Sequence, residues 1–134
     1  MTPAAWWLVR HAAPQVAPGT CYGALDVPAN PQATQQAARR LAEALPTGTL
    51  MSHSPLQRCE QLAHYLIALR PDLASNPDPR LREMDFGDWE GRPWADIARS
   101  EIDAWTQSFA HYRPGAGENL HSMLARVDAA RREA

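Results

Sequence analysis

The chain has 134 residues, which is enough for one domain with one modest hydrophobic core. Hydrophobic residues make up 45% of it, and 13 basic and 15 acidic residues give a net charge of −2. This balance provides no basic surface for a nucleic acid. No apolar stretch approaches the ~20 residues of a membrane span. We therefore expect neither a nucleic acid nor a membrane as a partner.

The cysteines and the N-terminus favour a cytoplasmic protein. Cys21 and Cys59 show no metal-binding or redox spacing, so we interpret them as free thiols in a reducing compartment. The N-terminus also lacks the charged region and long apolar stretch of a secretory signal.

Four apolar residues, Trp6 to Val9, run directly into Arg10 and His11. Such a run without polar alternation is typical of a strand covered on both faces, with both tryptophans in the core. Arg10 and His11 would then lie at the carboxyl end of a buried strand, where open α/β sheets bind ligands. A guanidinium beside an imidazole suits chemistry on an anion, most simply a phosphate.

Residues 12–30 form a long connection rich in proline and glycine. A loop of this length is usually functional or disordered, and its position after Arg10 and His11 predicts that it folds over a bound ligand. Thr20 and Tyr22 within it are candidate substrate contacts.

Helices and short strands alternate after this loop. Asn30-Pro31 predicts a helix start, and the helix runs to about Leu45. Residues 49–52 are predicted to form a strand, and Ser54-Pro55 predicts the start of a second helix that ends at Pro71. Residues 76–79 are expected to form a rigid surface loop, and residues 81–84 either a third short strand or an extended segment. Further helices are predicted at 93–100, at 101–110 and from Leu120 onward.

This alternation predicts a three-layer α/β/α fold with a mostly parallel central sheet, in a single domain over residues 1–134. Two strands are convincing and one is weak, although a parallel sheet usually has more. The last helix should lead into another buried strand, so we expect the chain to be C-terminally truncated. An unpaired strand edge of this kind also predicts a homo-oligomer.

Three features converge on one candidate site. Arg58 falls on the first turns of the helix whose N-terminus, near Ser54, offers N–H groups to an anion. Glu83 precedes Phe86 and Trp89, whose rings would shield its carboxyl group from water. Other residues remain open: Asp85, Asp88 and Glu90 as alternative acids, His53 as a pocket residue, and Arg126 with Arg131 and Arg132 as a solvated helix face.

Leu8–Ala12 resembles the signature of the histidine phosphatase superfamily, also called phosphoglycerate-mutase-like, with Ala12 where glycine is more usual. Further segments are similar to the family in the same order; they are residues 22–28, 53–58, 81–91 and 114–119. The resemblance implies that His11 is the nucleophile that becomes phosphohistidine, that Arg10 and Arg58 hold the phosphate, and that Glu83 donates the proton.

By the same resemblance the activity is hydrolysis of a small phosphorylated metabolite, releasing inorganic phosphate with no metal or cofactor. The spacing is closest to small bacterial α-ribazole-phosphate phosphatases. The family's second catalytic histidine has no counterpart here, because the last histidine, His121, lies inside the predicted C-terminal helix. Two alternatives therefore stay open: a truncated or degraded member that binds phosphate or phospho-ligands with little turnover, and mutase-type phosphoryl transfer.

Overall fold

The computed structural model describes residues 5–134. Its helices are α1 (Pro31–Ala44), α2 (Gln57–Leu69), α3 (Arg99–Gln107) and α4 (Leu120–Glu133). Its strands are β1 (Leu50–His53) and β2 (Ala74–Pro77), and short 3-10 turns lie at Pro79–Leu81, Gly87–Trp89, Trp94–Asp96 and Pro114–Ala116. No helix in this range has both the length and the apolar character needed to cross a membrane.

The sheet of the described residues is a parallel pair. β1 and β2 run side by side, with Leu50 opposite Ala74 and His53 opposite Pro77, and α2 connects them and contacts both. The predicted α/β class and parallel pairing are therefore confirmed.

The position of β2 differs from the sequence prediction. Residues 74–77 form the strand where a surface loop was expected from residue 76, and residues 79–81 form a 3-10 turn. Of the two alternatives for residues 81–84, the strand is wrong, and residues 83–86 have no regular secondary structure. Ala-Ser-Asn-Pro has little intrinsic strand preference, so pairing with β1 creates a strand that the local pattern does not indicate.

The two predicted helix starts behave differently. Asn30 caps α1 as expected, since its Oδ1 accepts from the Ala33 N–H at 2.9 Å. α2 begins two residues after Pro55, and its N-cap residue gives no side-chain hydrogen bond. Asp26 takes that place, because its Oδ1 accepts from the Gln57 N–H at 2.7 Å. The loop before α1 thus reaches across to the start of α2.

Two hydrophobic clusters stabilise the described residues. The first lies between α1 and α2, around Ala38, Leu62 and Leu66. The second, the aromatic cluster, contains Cys21, Trp89 and Ile97, with further aromatic rings packed on it. Within it Trp94 and Trp105 stack at 6.1 Å between centroids, and Trp105 also contacts Phe86 edge-on. The aromatic cluster anchors the turns that follow Glu83.

The predicted buried strand at the N-terminus is wrong. Residues 6–9 form no strand, and their exposed fractions range from 46% at Trp7 to 91% at Leu8. Backbone hydrogen bonds from the described residues to residues 6–10 are also absent. An apolar run forms a buried strand only when a neighbouring strand pairs with it, and the sheet of the described residues contains β1 and β2 alone.

Leu66→Ala should lower the free energy of unfolding by about 2–5 kcal/mol, because it empties part of the α1–α2 core. Leu66 is 4% exposed, whereas Leu69 on the same helix is 49% exposed. Leu69→Ala is therefore the matched control, and urea denaturation measures both. Equal losses for the two variants would contradict the assignment of this core.

Candidate active site

His11 has one ring nitrogen engaged and one available. Its Nδ1 lies 2.7 Å from the carbonyl oxygen of Ala12. A carbonyl can only accept, so Nδ1 carries the proton and donates, and Nε2 keeps its lone pair. The half-buried imidazole is therefore fixed by its own neighbour in the tautomer that a nucleophile attacking through Nε2 requires.

The charges of three other predicted site residues act on this imidazole. Burial is the main cause that lowers the pKa of His11 below its ordinary value, and the positive charges of Arg58 and Arg10 lower it further. The hydrogen bond to Ala12 and the charge of Glu83 act in the opposite direction. The fold thus brings Arg10, Arg58 and Glu83 within electrostatic range of His11, and it favours the neutral ring.

Arg58 is a buried cation without a counter-ion among residues 5–134. It is 1% exposed, and its Nη1 donates to the Leu25 carbonyl at 2.7 Å while Nη2 donates to the Gly23 carbonyl. The guanidinium also lies over the Tyr22 ring, 5.2 Å from its centroid. Its Nε has no partner in the described part of the chain. Arg58 is therefore rigidly placed, and its Nε–H is a buried donor to which no described residue offers an acceptor.

The predicted loop over residues 12–30 is ordered. Hydrogen bonds close its base, from the Gln15 N–H to the Pro28 carbonyl and from the Asn30 N–H to the Ala13 carbonyl, both at 2.8 Å. Gln61 on α2 accepts from the Ala29 N–H at 2.9 Å. Together with the Asp26 cap on α2, these contacts hold the loop beside Arg58.

Glu90 holds the other side of the same loop. Its carboxylate accepts from the N–H groups of Gly23, Ala24 and Leu25 at 2.8–3.4 Å, and from that of Phe86 at 3.1 Å. Segment 23–25 therefore directs the carbonyls of Gly23 and Leu25 to Arg58 and all three of its N–H groups to Glu90. The sequence pattern offers Glu90 only as an alternative acid, and nothing in its spacing indicates this role.

The Glu90 carboxylate also acts on the neighbouring thiol. Burial raises the pKa of Cys21 to about 11, and the Glu90 charge adds to the effect. The Cys21 thiol therefore stays protonated and unreactive at neutral pH.

Among the candidate acids, Glu83 carries the charge that acts on His11. Glu90 is occupied by backbone donors, and Asp85 caps its own turn through a 2.8 Å bond from the Gly87 N–H. The Glu83 side chain is exposed, and its Oε1 accepts from the Met84 N–H at 2.8 Å. The prediction that Phe86 and Trp89 shield this carboxyl is wrong, because both rings pack into the aromatic cluster.

The three candidate substrate contacts lie in different surroundings. Tyr22 is stacked with Arg58 and so adjoins the site. The Nδ1 of His53 lies 2.6 Å from the Ser75 hydroxyl on β2. Burial lowers the pKa of His53, and the charges that act on it belong to Glu60 and His64. Thr20 forms an isolated bridge with Pro93. Substrate contact by these residues stays a prediction.

Arg126 was expected on a solvated helix face, and that expectation is wrong. Its guanidinium is partly buried and binds the Glu118 carboxylate and the backbone before Glu83. Periodicity within α4 cannot indicate this, because Glu118 and residues 80–83 lie outside the helix. Within residues 5–134, no three His, Cys, Asp or Glu side chains cluster in a way that could hold a metal ion.

Comparison with protein-family models shows the superfamily of this chain. The model of the histidine phosphatase superfamily (branch 1) matches residues 6–134. The chain belongs to this superfamily. The matched range contains Arg10, His11, Arg58 and Glu83.

Curated relatives in the superfamily are phosphatases. The chain is 30% identical over 129 residues to an adenosylcobalamin/alpha-ribazole phosphatase of Escherichia coli. It is 27% identical over 132 residues to the protein of the same name from Salmonella typhimurium. Both alignments cover 91% of this chain, and the chain spans 62% of the length of these relatives.

Solved structures share the fold. TTHB049 from Thermus thermophilus superposes with a TM-score of 0.74 at 28% identity, over 94% of this chain and 70% of that one. The mycobacterial glucosyl-3-phosphoglycerate phosphatase Rv2419c, in complex with VO3, gives 0.78 at 28% identity, over 92% and 63%. The predicted phosphoglycerate-mutase-like α/β fold is confirmed.

Glu90→Gln should destabilise the chain by about 1–3 kcal/mol, because an amide NH₂ would face backbone donors that now share a carboxylate. Glu43→Gln is the matched control for loss of a charge, because Glu43 is an exposed residue of α1. Urea denaturation gives both free energies of unfolding. If the two variants have equal free energies of unfolding, Glu90 does not hold segment 23–25.

Proposed function

We propose that this chain carries the catalytic site of a phosphomonoesterase that works through phosphohistidine at His11. The observation that carries the proposal is the His11 imidazole, with an available Nε2 and with Arg10, Arg58 and Glu83 in electrostatic range. Membership of the superfamily and the phosphatase relatives support the same chemistry.

In the proposed reaction, Nε2 of His11 attacks the phosphorus of the bound monoester. A P–N bond forms while the P–O bond to the leaving group breaks. Arg10 and Arg58 stabilise the negative charge on the transferred phosphoryl group. Glu83, as the carboxylic acid, gives its proton to the leaving oxygen.

The second half regenerates the enzyme. The Glu83 carboxylate takes a proton from water, whose oxygen attacks the phosphorus of phosphohistidine. The P–N bond breaks, the electron pair returns to Nε2, and inorganic phosphate leaves. The nucleophile, the two cationic groups and the acid–base group in these steps are all side chains of this chain, so the proposed chemistry is metal-independent.

We propose a small phosphorylated metabolite as the substrate and the cytoplasm as the compartment. Relatives named for alpha-ribazole and glucosyl-3-phosphoglycerate support the substrate class, since both names denote phosphatases of small molecules. Tyr22 is the candidate substrate contact nearest to the proposed phosphate site, because it stacks on Arg58. Thr20 and His53 are further proposed substrate contacts.

Binding of phosphate or phospho-ligands with little turnover is the second candidate function. This function is favoured by the set of charged groups that act on His11. Within the described residues they are two arginines and Glu83, and no second histidine is among them. A pocket of this composition retains an anion while stabilising less of the charge that develops during transfer. Calorimetry with inorganic phosphate, combined with a turnover assay, separates the two functions.

His11→Ala should lower turnover of p-nitrophenyl phosphate by more than about 10³-fold, because the attacking nitrogen is lost. His64→Ala, an exposed histidine on α2, is the matched control and should keep wild-type turnover. The released p-nitrophenolate is measured by absorbance. Equal turnover by the wild-type chain and by His11→Ala would refute the proposal, and phosphate binding without turnover by the wild-type chain would favour the second candidate.

A further inference from the structure

The guanidinium of Arg126, on α4, uses all five of its N–H donors inside the protein. Nε and Nη2 donate to the two oxygens of Glu118 at 2.8 and 2.7 Å. Nη1 donates to the carbonyls of Arg80 and Arg82 at 2.7 and 2.6 Å, and Nη2 reaches the Glu83 carbonyl at 3.3 Å. Arg126 therefore binds three carbonyls of segment 80–83, the last of which belongs to the proposed proton donor.

We propose that Arg126, oriented by Glu118, is a positioning residue for Glu83. It fixes the end of segment 80–83, which has no strand to hold it, so that the Glu83 carboxyl stays within reach of the leaving oxygen. This inference rests on the proposed function, because the position of Glu83 matters to the reaction only if Glu83 donates the proton.

Backbone contacts support the same role for Glu118. The Glu118 N–H donates to the Asp85 carbonyl at 2.8 Å, and its carboxylate accepts from the Asp85 N–H at 3.4 Å. The loop before Glu118 lies directly against the turn after Glu83, since a Cβ at Gly115 would overlap the Phe86 carbonyl oxygen. Arg126 therefore holds the backbone up to Glu83, and Glu118 holds Asp85 just after it.

The Arg126–Glu118 pair is charged and its geometry is specific. Hydrogen bonding to Arg126 lowers the pKa of Glu118, so the carboxylate stays ionised at neutral pH. Bidentate pairing together with three carbonyl contacts requires the planar guanidinium, whereas an ammonium has three donors and no fixed plane. Lysine at position 126 cannot reproduce this set of contacts.

Leaving groups of different basicity provide the test. A phenolate or alkoxide leaving group needs the proton from Glu83, whereas 2,4-dinitrophenolate leaves as the anion. Arg126→Gln and Arg126→Lys should therefore lower kcat/KM on phenyl phosphate by about 10²-fold. On 2,4-dinitrophenyl phosphate they should leave kcat/KM near the wild-type value, because kcat/KM reports the steps up to departure of the leaving group and Glu83 acts as a base only after them. Glu118→Gln is expected to show the same selective loss, and Arg132→Gln, an exposed α4 arginine paired with Asp128, should change neither rate.

Amide hydrogen exchange tests the positioning without reference to catalysis. In Arg126→Gln, residues 80–85 should exchange faster, while α1 and α2 keep wild-type protection. Equal losses of kcat/KM on both substrates, or unchanged exchange at residues 80–85, would overturn the inference. A wild-type chain that hydrolyses neither substrate would instead overturn the proposed function, and the exchange result would still show whether Arg126 fixes the segment.

Discussion

The buried guanidinium of Arg58 is the constraint on which the rest of the site depends. A cation removed from water is costly unless it is paired and hydrogen-bonded, and in residues 5–134 its partners are two neutral carbonyls and an aromatic face. The fold tolerates this cost and also leaves Nε without a partner among those residues. A dianionic phosphoryl group would supply the missing counter-charge and the missing acceptor together, which is the physical basis of the proposed function.

Gly23 shows how tightly the surrounding segments are linked to this cation. Its carbonyl accepts from Arg58, and its N–H donates to Glu90. A Cβ at this position would overlap the carbonyl oxygen of Met84, the neighbour of Glu83. The loop beside Arg58 and the segment that carries Glu83 are therefore in backbone contact, and glycine is required because nothing larger fits between them.

The sequence pattern points to the residues whose charges act on His11, but it does not indicate the contacts that hold their segments in place. The sequence singles out Arg10, His11, Arg58 and Glu83 because an apolar run, a helix start and an acidic turn occur in the order seen in the family. Asn30 was predicted correctly as a helix cap because capping is local. Glu90, Glu118 and Arg126 were missed because each acts on backbone far away in sequence, where spacing carries no signal. The exposed apolar run at residues 6–9 was misassigned for a related reason, since strand pairing is decided by a neighbour rather than by the strand itself.

The central claim is that a phosphoryl group becomes covalently attached to Nε2 of His11. Rapid quenching of the wild-type chain with a phosphomonoester into alkali, where phosphohistidine survives, followed by peptide mass spectrometry tests this directly. One added phosphoryl group is expected on the peptide that contains His11, and none in His11→Ala. Turnover with no labelled peptide, or a label on any other residue, would contradict it.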